Sequence, residues 1–139
     1  MPQSIMAKKL PILTKSIFHW TGQVIHGQSM GRTIGFPTAN IDLVPSEVDL
    51  KPGVYLASCQ FKSTPEQHYG LVYFGPKLVL GQTTNVFEIY LFDFEQQIYG
   101  QTLTIDLQQY IREPKKFTDF ADLKNQLTFD YNQAKLYLK

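Results

Sequence analysis

Short runs in which apolar and polar side chains alternate, rich in β-branched and aromatic residues, recur at Ile17 to Val24, Gly53 to Phe61, His68 to Phe74, Val86 to Phe92 and Thr102 to Leu107. Each is about the length of a strand. Turn-forming clusters separate them, such as Pro52-Gly53, Ser63-Thr64-Pro65, Gly75-Pro76 and Gly81 to Asn85. No helix-length pattern lies between the runs, so antiparallel connections are expected. Only the last stretch changes period. Phe120, Leu123, Leu127, Tyr131, Ala134 and Leu138 follow at spacings of 3, 4, 4, 3 and 4, the stripe of an amphipathic helix, with Thr118 or Asp119 as its cap. Strands first and one helix last predict a mainly β domain, a small antiparallel barrel or sandwich with a carboxyl-terminal α-helix packed against it. A barrel is preferred, because closure removes the edges that such aromatic, weakly charged strands would otherwise expose.

The length of 139 residues is that of one domain, and 43% hydrophobic with 18% charged residues is enough apolar surface for a core. Thirteen Lys and Arg against twelve Asp and Glu leave a net charge of +1, which argues against a duplex nucleic-acid binder. One cysteine, Cys59, can form neither an internal disulfide nor a cysteine-based zinc site, and a reducing, cytoplasmic setting is expected. Between Lys9 and Lys15 the apolar stretch Leu10 to Leu13 is too short for a signal-peptide core or a membrane span, so no membrane partner is expected. Residues 1–15 read as an extension ahead of a domain at 16–139. The first carboxylate of the chain is Asp42, whereas Lys8, Lys9, Lys15 and Arg32 precede it, an asymmetry that suits a bound polyphosphate.

No Gly-x4-Gly-Lys-Ser/Thr loop occurs, and the glycines at 22, 27, 31 and 35 do not fit Gly-x-Gly-x2-Gly, which excludes the familiar nucleotide loops. His19, His26 and His68 are far apart and show no metal-ligand spacing. The informative stretch is Gly22 to Ile41, where four glycines allow close backbone approach and Pro37 keeps Phe36 extended. Thr38 and Asn40 then offer hard oxygen groups suited to a magnesium ion that carries phosphates, while the amides of Gly27 and Gly31 and the Arg32 guanidinium can neutralise the phosphates. The same residues also make an ordinary glycine-rich turn with a Pro-Thr-Ala-Asn cap. Glu88 stands in Val86 to Phe92, where every other residue is apolar or aromatic, on a face shared with Val86, Tyr90 and Phe92. A carboxylate there is either a general base or an outward-facing side chain on a half-wet strand.

Taken together, Gly31 to Asn40, Pro52 to Tyr55, Glu88 to Phe94, Tyr99-Gly100, Ile111-Arg112 with Lys116-Phe117, and Asp130 with Ala134 closely resemble, in order, the signature of the riboflavin kinases, or flavokinases. The resemblance runs from about Ser16 to the end. It implies a six-stranded antiparallel Greek-key barrel with a carboxyl-terminal helix, which binds magnesium-ATP beside riboflavin. The implied reaction transfers the γ-phosphoryl group to the ribityl terminal hydroxyl, giving flavin mononucleotide (FMN). By the same resemblance Thr38 and Asn40 serve the metal and phosphates, Glu88 is the catalytic base, Arg112 belongs to a mobile loop near the flavin, and Phe117 lies on the flavin side. Bacterial members are often half of a bifunctional enzyme that also adenylylates the product; a stand-alone, monomeric kinase is expected here.

One segment departs from the family pattern. Where the family usually reads Asn-Ile-Gly before a Pro-Thr-Phe-like loop, this chain has Tyr73-Phe74-Gly75-Pro76-Lys77-Leu78. An aromatic replaces the amide and the threonine is missing. The alternative reading is therefore a catalytically weakened flavin- or nucleotide-binding module on the same fold.

Overall fold

The structure is a computed structural model that describes residues 16–25, 38–42, 49–76, 85–92 and 100–138. Its strands are β1 (Phe18–Ile25), β2 (Thr38–Ile41), β3 (Gly53–Phe61), β4 (Gln67–Pro76), β5 (Asn85–Leu91) and β6 (Thr102–Arg112), followed by the helix α1 (Phe120–Leu136). They close into a barrel in the order β1-β2-β5-β4-β3-β6, with every pairing antiparallel. Three consecutive strands, β3 to β5, lie side by side and β6 returns to pair with β3, which is the Greek key. Among the described residues no helix is long and apolar enough to cross a membrane.

Alternation decides which side chains fill the barrel. On β5, Phe87, Ile89 and Leu91 are buried inside it, while Val86, Glu88 and Tyr90 are half-buried on the outer face. On β6, Leu103, Ile105 and Leu107 point inward in the same way. Strand β3 is different, being buried on both sides from Gly53 to Cys59. Its outward residues Val54 and Leu56 join Leu71 and Phe92 in a second cluster, closed over by Leu127 and Ala134 of α1. A strand covered on both faces reads as a nearly continuous apolar run, as the sequence of β3 does. The helix starts where the sequence places it: Asp119 is the cap, its carboxylate accepting from the Asp122 N–H at 2.9 Å.

Two elements differ from the sequence reading. Strand β2 covers Thr38, Ala39 and Asn40 of the Pro-Thr-Ala-Asn segment, for which the sequence suggests no strand, and four residues are too few to show alternation. Its hydrogen bonds come from β1, which precedes it in the chain, and from β5, which is remote in sequence. Strand β6 runs five residues past Leu107, to Arg112. Its register against β3 shifts twice, between Leu56 and Ala57 and between Val54 and Tyr55, leaving Gln108 and Ile111 as extra residues. These bulges break the period that the sequence shows. They also turn Tyr110 inward to meet Tyr55 edge-on at 5.1 Å, and then bring Arg112 level with Val54 on the helix side. Gly53 is required at this crossing: its φ is +153°, and a Cβ there would lie 2.4 Å from the Arg112 carbonyl oxygen.

Candidate active site on the outer face of the barrel

Register places one residue from each of five strands in a single row. Asn40 on β2 pairs with Glu88 on β5, Glu88 with Tyr73 on β4, Tyr73 with Val54 on β3, and Val54 with Arg112 on β6. Asn40 precedes the inward Ile41, so like Glu88 it belongs to the outer face. Thr38 lies two residues before it, opposite Tyr90. From Glu88 to Arg112 is three strand spacings, roughly 14 Å along the sheet.

The two ends of this row carry different chemistry. At one end the side-chain oxygen Oδ1 of Asn40 is buried and has no hydrogen-bond partner among the described residues. An orphaned acceptor costs about 1–3 kcal/mol, and a donor or cation at this point would satisfy it. Beside it the Tyr90 hydroxyl donates to Glu88 Oε1 at 3.1 Å. At the other end Arg112 is bound to the helix: Nε donates to both carboxylate oxygens of Asp130 at 2.9 Å, and Nη2 lies 2.8 Å from Oδ2. Asp130 is fully buried and also accepts from Gln126 Nε2 at 2.9 Å. Arg112 Nη1 donates to the Glu113 carbonyl at 3.0 Å, and the Phe117 ring lies 5.9 Å from the guanidinium.

Between the ends stands Tyr73. Its hydroxyl donates to the Pro76 carbonyl and its ring lies on Gly75, where a Cβ would come within 3.0 Å of Tyr73 Oη. Burial pushes the Tyr73 phenol up to about 12, the Glu88 carboxylate adds to the rise, and the Arg112 guanidinium opposes it. The phenol is therefore neutral at physiological pH and feels both ends of the row.

The riboflavin kinase family model matches residues 14–138. The chain belongs to the riboflavin kinase family. It is 41% identical over 116 residues to the bifunctional riboflavin kinase/FMN adenylyltransferase of Haemophilus influenzae, covering 84% of this chain and 37% of that protein. It thus spans little more than a third of that relative. Among solved structures, a macrolide-efflux protein from Streptococcus pneumoniae superposes with a TM-score of 0.73 at 27% identity, over 94% of this chain and 45% of that one. Riboflavin kinase from Trypanosoma brucei superposes with a TM-score of 0.61 over 90% of this chain and 82% of that one; at 22% identity the likeness is one of fold.

Of the residues singled out for riboflavin kinase chemistry, Asn40 and Glu88 are brought side by side, and Arg112 and Phe117 stand together at the far end of the row. Thr38 is placed by register alone, and Gly27, Gly31 and Arg32 lie outside the described residues, as do His26, Lys77 and Leu78. Arg112 itself ends a strand and is held by a buried partner, so its position is set by α1. No group of three or more His, Cys, Asp and Glu able to hold a metal occurs among the described residues. Two more residues join the site, and the sequence holds a signal for the role of each. Asp130 interrupts the apolar stripe between Leu127 and Ala134, where a carboxylate needs a buried partner. Tyr90 follows Glu88 by two, the spacing of same-face neighbours on a strand.

The departure at Tyr73 is accommodated by Gly75. We expect Tyr73→Asn to lower stability by about 1–3 kcal/mol, because the ring's packing is lost and the amide faces apolar neighbours. Urea unfolding checks this, and activity should fall with it. A stable variant that turns over faster than wild type would mark the ring as an impediment.

Proposed function

We propose that this chain catalyses ATP-dependent phosphorylation of riboflavin at the ribityl terminal hydroxyl, giving FMN and ADP. The observation that carries the reading is the pairing of Glu88 with Asn40 across β2 and β5, a carboxylate set beside an orphaned oxygen, in a chain of the riboflavin kinase family. Glu88 accepts the hydroxyl proton as the ribityl oxygen forms its bond to the γ-phosphorus and the bond to the ADP oxygen breaks. Asn40 Oδ1, with Thr38 beside it in register, is a hard oxygen donor that fits a divalent cation such as magnesium carrying the nucleotide phosphates. That cation, when bound, neutralises charge on the phosphates. The amides of Gly27 and Gly31 and the Arg32 side chain, outside the described residues, are assigned to the phosphates on their sequence alone. Arg112, about 14 Å along the sheet from Glu88, serves the flavin together with Phe117 beside it, a separation that one elongated substrate can bridge.

Incubation of the protein with riboflavin, ATP and magnesium, with FMN followed by chromatography, tests the reading directly. Formation of FMN is expected, and none across a range of metals and pH would favour a binding module on the same fold. Asn40→Ala should lower kcat/KM for magnesium-ATP by roughly 10-fold or more, because it deletes an oxygen proposed to hold the metal. Riboflavin binding, read by quenching of its fluorescence, should stay within about 2-fold. Equal losses on both sides would place Asn40 outside the metal and phosphate site.

A further inference from the structure

Glu88 is flanked by two tyrosines, whose hydroxyls donate to different partners. Tyr73, its register partner on β4, spends its hydroxyl on the Pro76 carbonyl. Tyr90, two residues along on the same face of β5, donates to Glu88 Oε1 at 3.1 Å. The Tyr90 ring is itself held, packed against the cluster that joins the barrel to α1. Its backbone is held too: a Cβ at Gly70 would lie 2.6 Å from the Tyr90 carbonyl oxygen, so only glycine lets β4 and β5 close at this point.

We infer that Tyr90 is a positioning residue for Glu88, holding the carboxylate in its proton-accepting orientation through the hydroxyl-to-Oε1 hydrogen bond. A glutamate on a strand has three rotatable bonds and samples many directions at the surface. A tyrosine has two, and here its ring is anchored, so its hydroxyl is a fixed point from which to hold the carboxylate. General-base transfer needs the oxygen within about 2.6–3.2 Å of the proton it takes. A base free to swing spends much of its time outside that range. Because the hydrogen bond acts on the orientation of the base, its loss is expected in kcat and not in KM. The inference rests on the proposed role of Glu88 as base.

The test is a double-mutant cycle built from Tyr90→Phe and Glu88→Gln, with thermal unfolding measured on each protein. Tyr90→Phe removes one oxygen and keeps the anchored ring, so its melting temperature should stay close to wild type. Its kcat should fall roughly 10-fold, the value of one hydrogen bond to a charged group, with KM for riboflavin within about 2-fold. In the Glu88→Gln background the same change should alter the rate less than about 2-fold, since no base remains to be positioned. An unchanged kcat in Tyr90→Phe, while Glu88→Gln is severely impaired, overturns the inference and leaves the base assignment standing. A loss of full size that persists in the Glu88→Gln background, or one that appears in KM alone, also overturns it. Turnover retained in Glu88→Gln within a few-fold overturns the base assignment instead.

Discussion

Glu88→Gln is expected to lower turnover of riboflavin by roughly 10²- to 10⁴-fold, the range for loss of a positioned general base. The amide keeps the size of the side chain and can still meet the Tyr90 hydroxyl, which lies 3.1 Å from Oε1 in the native protein. Inside the barrel nothing changes, because Phe87 and Ile89 on either side of Glu88 are the residues that pack there. Riboflavin binding, read by fluorescence quenching, and the melting temperature should therefore stay near their wild-type values. Single-turnover measurements separate the chemical step from product release, and the loss should appear in the chemical step. A variant that turns over within a few-fold of wild type would show Glu88 to be an outward-facing strand residue and nothing more.

Asp130→Ala is expected to have the largest effect on stability. Asp130 is fully buried and receives four contacts, three from Arg112 and one from Gln126. Its removal strands the guanidinium at the β6–α1 junction, and breaking a buried pair from one side costs about 3–5 kcal/mol. The Arg112 side chain keeps 19% of its accessible surface, so the lower end of that range is expected. The free-energy difference from urea unfolding checks the value. Since α1 covers Val54, Leu56 and Leu71, its loosening should also expose apolar surface to a hydrophobic dye. Replacing both partners, Arg112→Met with Asp130→Leu, should recover much of the stability, because no charge is then left buried. Activity should not recover with it, as the end of the row proposed for the flavin loses its guanidinium.

Much of the barrel was legible along the chain, for a physical reason: a strand with one face in the core alternates, and β1, β3, β4, β5 and the first half of β6 do so or run continuously apolar. The stripe from Leu123 to Leu138 and the cap at Asp119 were legible because a helix buries one side at its own period. Strand β2 was not, since four residues paired on both sides depend on partners distant in sequence. Nor was the second half of β6, where two bulges against β3 interrupt the period and exist only because the strands meet.

The candidate site divides in the same way. Sequence alone singled out the residues proposed for the chemistry: Asn40 and Thr38 as oxygen donors, Glu88 as an odd carboxylate in an apolar run, Arg112 and Phe117 by resemblance. Tertiary structure alone decided which of them meet. Register, which no single strand encodes, set Asn40 opposite Glu88 and Tyr73 beside it. Packing decided that the Tyr73 hydroxyl turns to Pro76 while that of Tyr90 turns to Glu88, and that Asp130, one carboxylate in a helix, is the buried anchor of an arginine eighteen residues earlier. A hydrogen bond or an ion pair is a relation between two positions in space, and spacing along one chain fixes such relations only within an element, never between elements that the fold brings together.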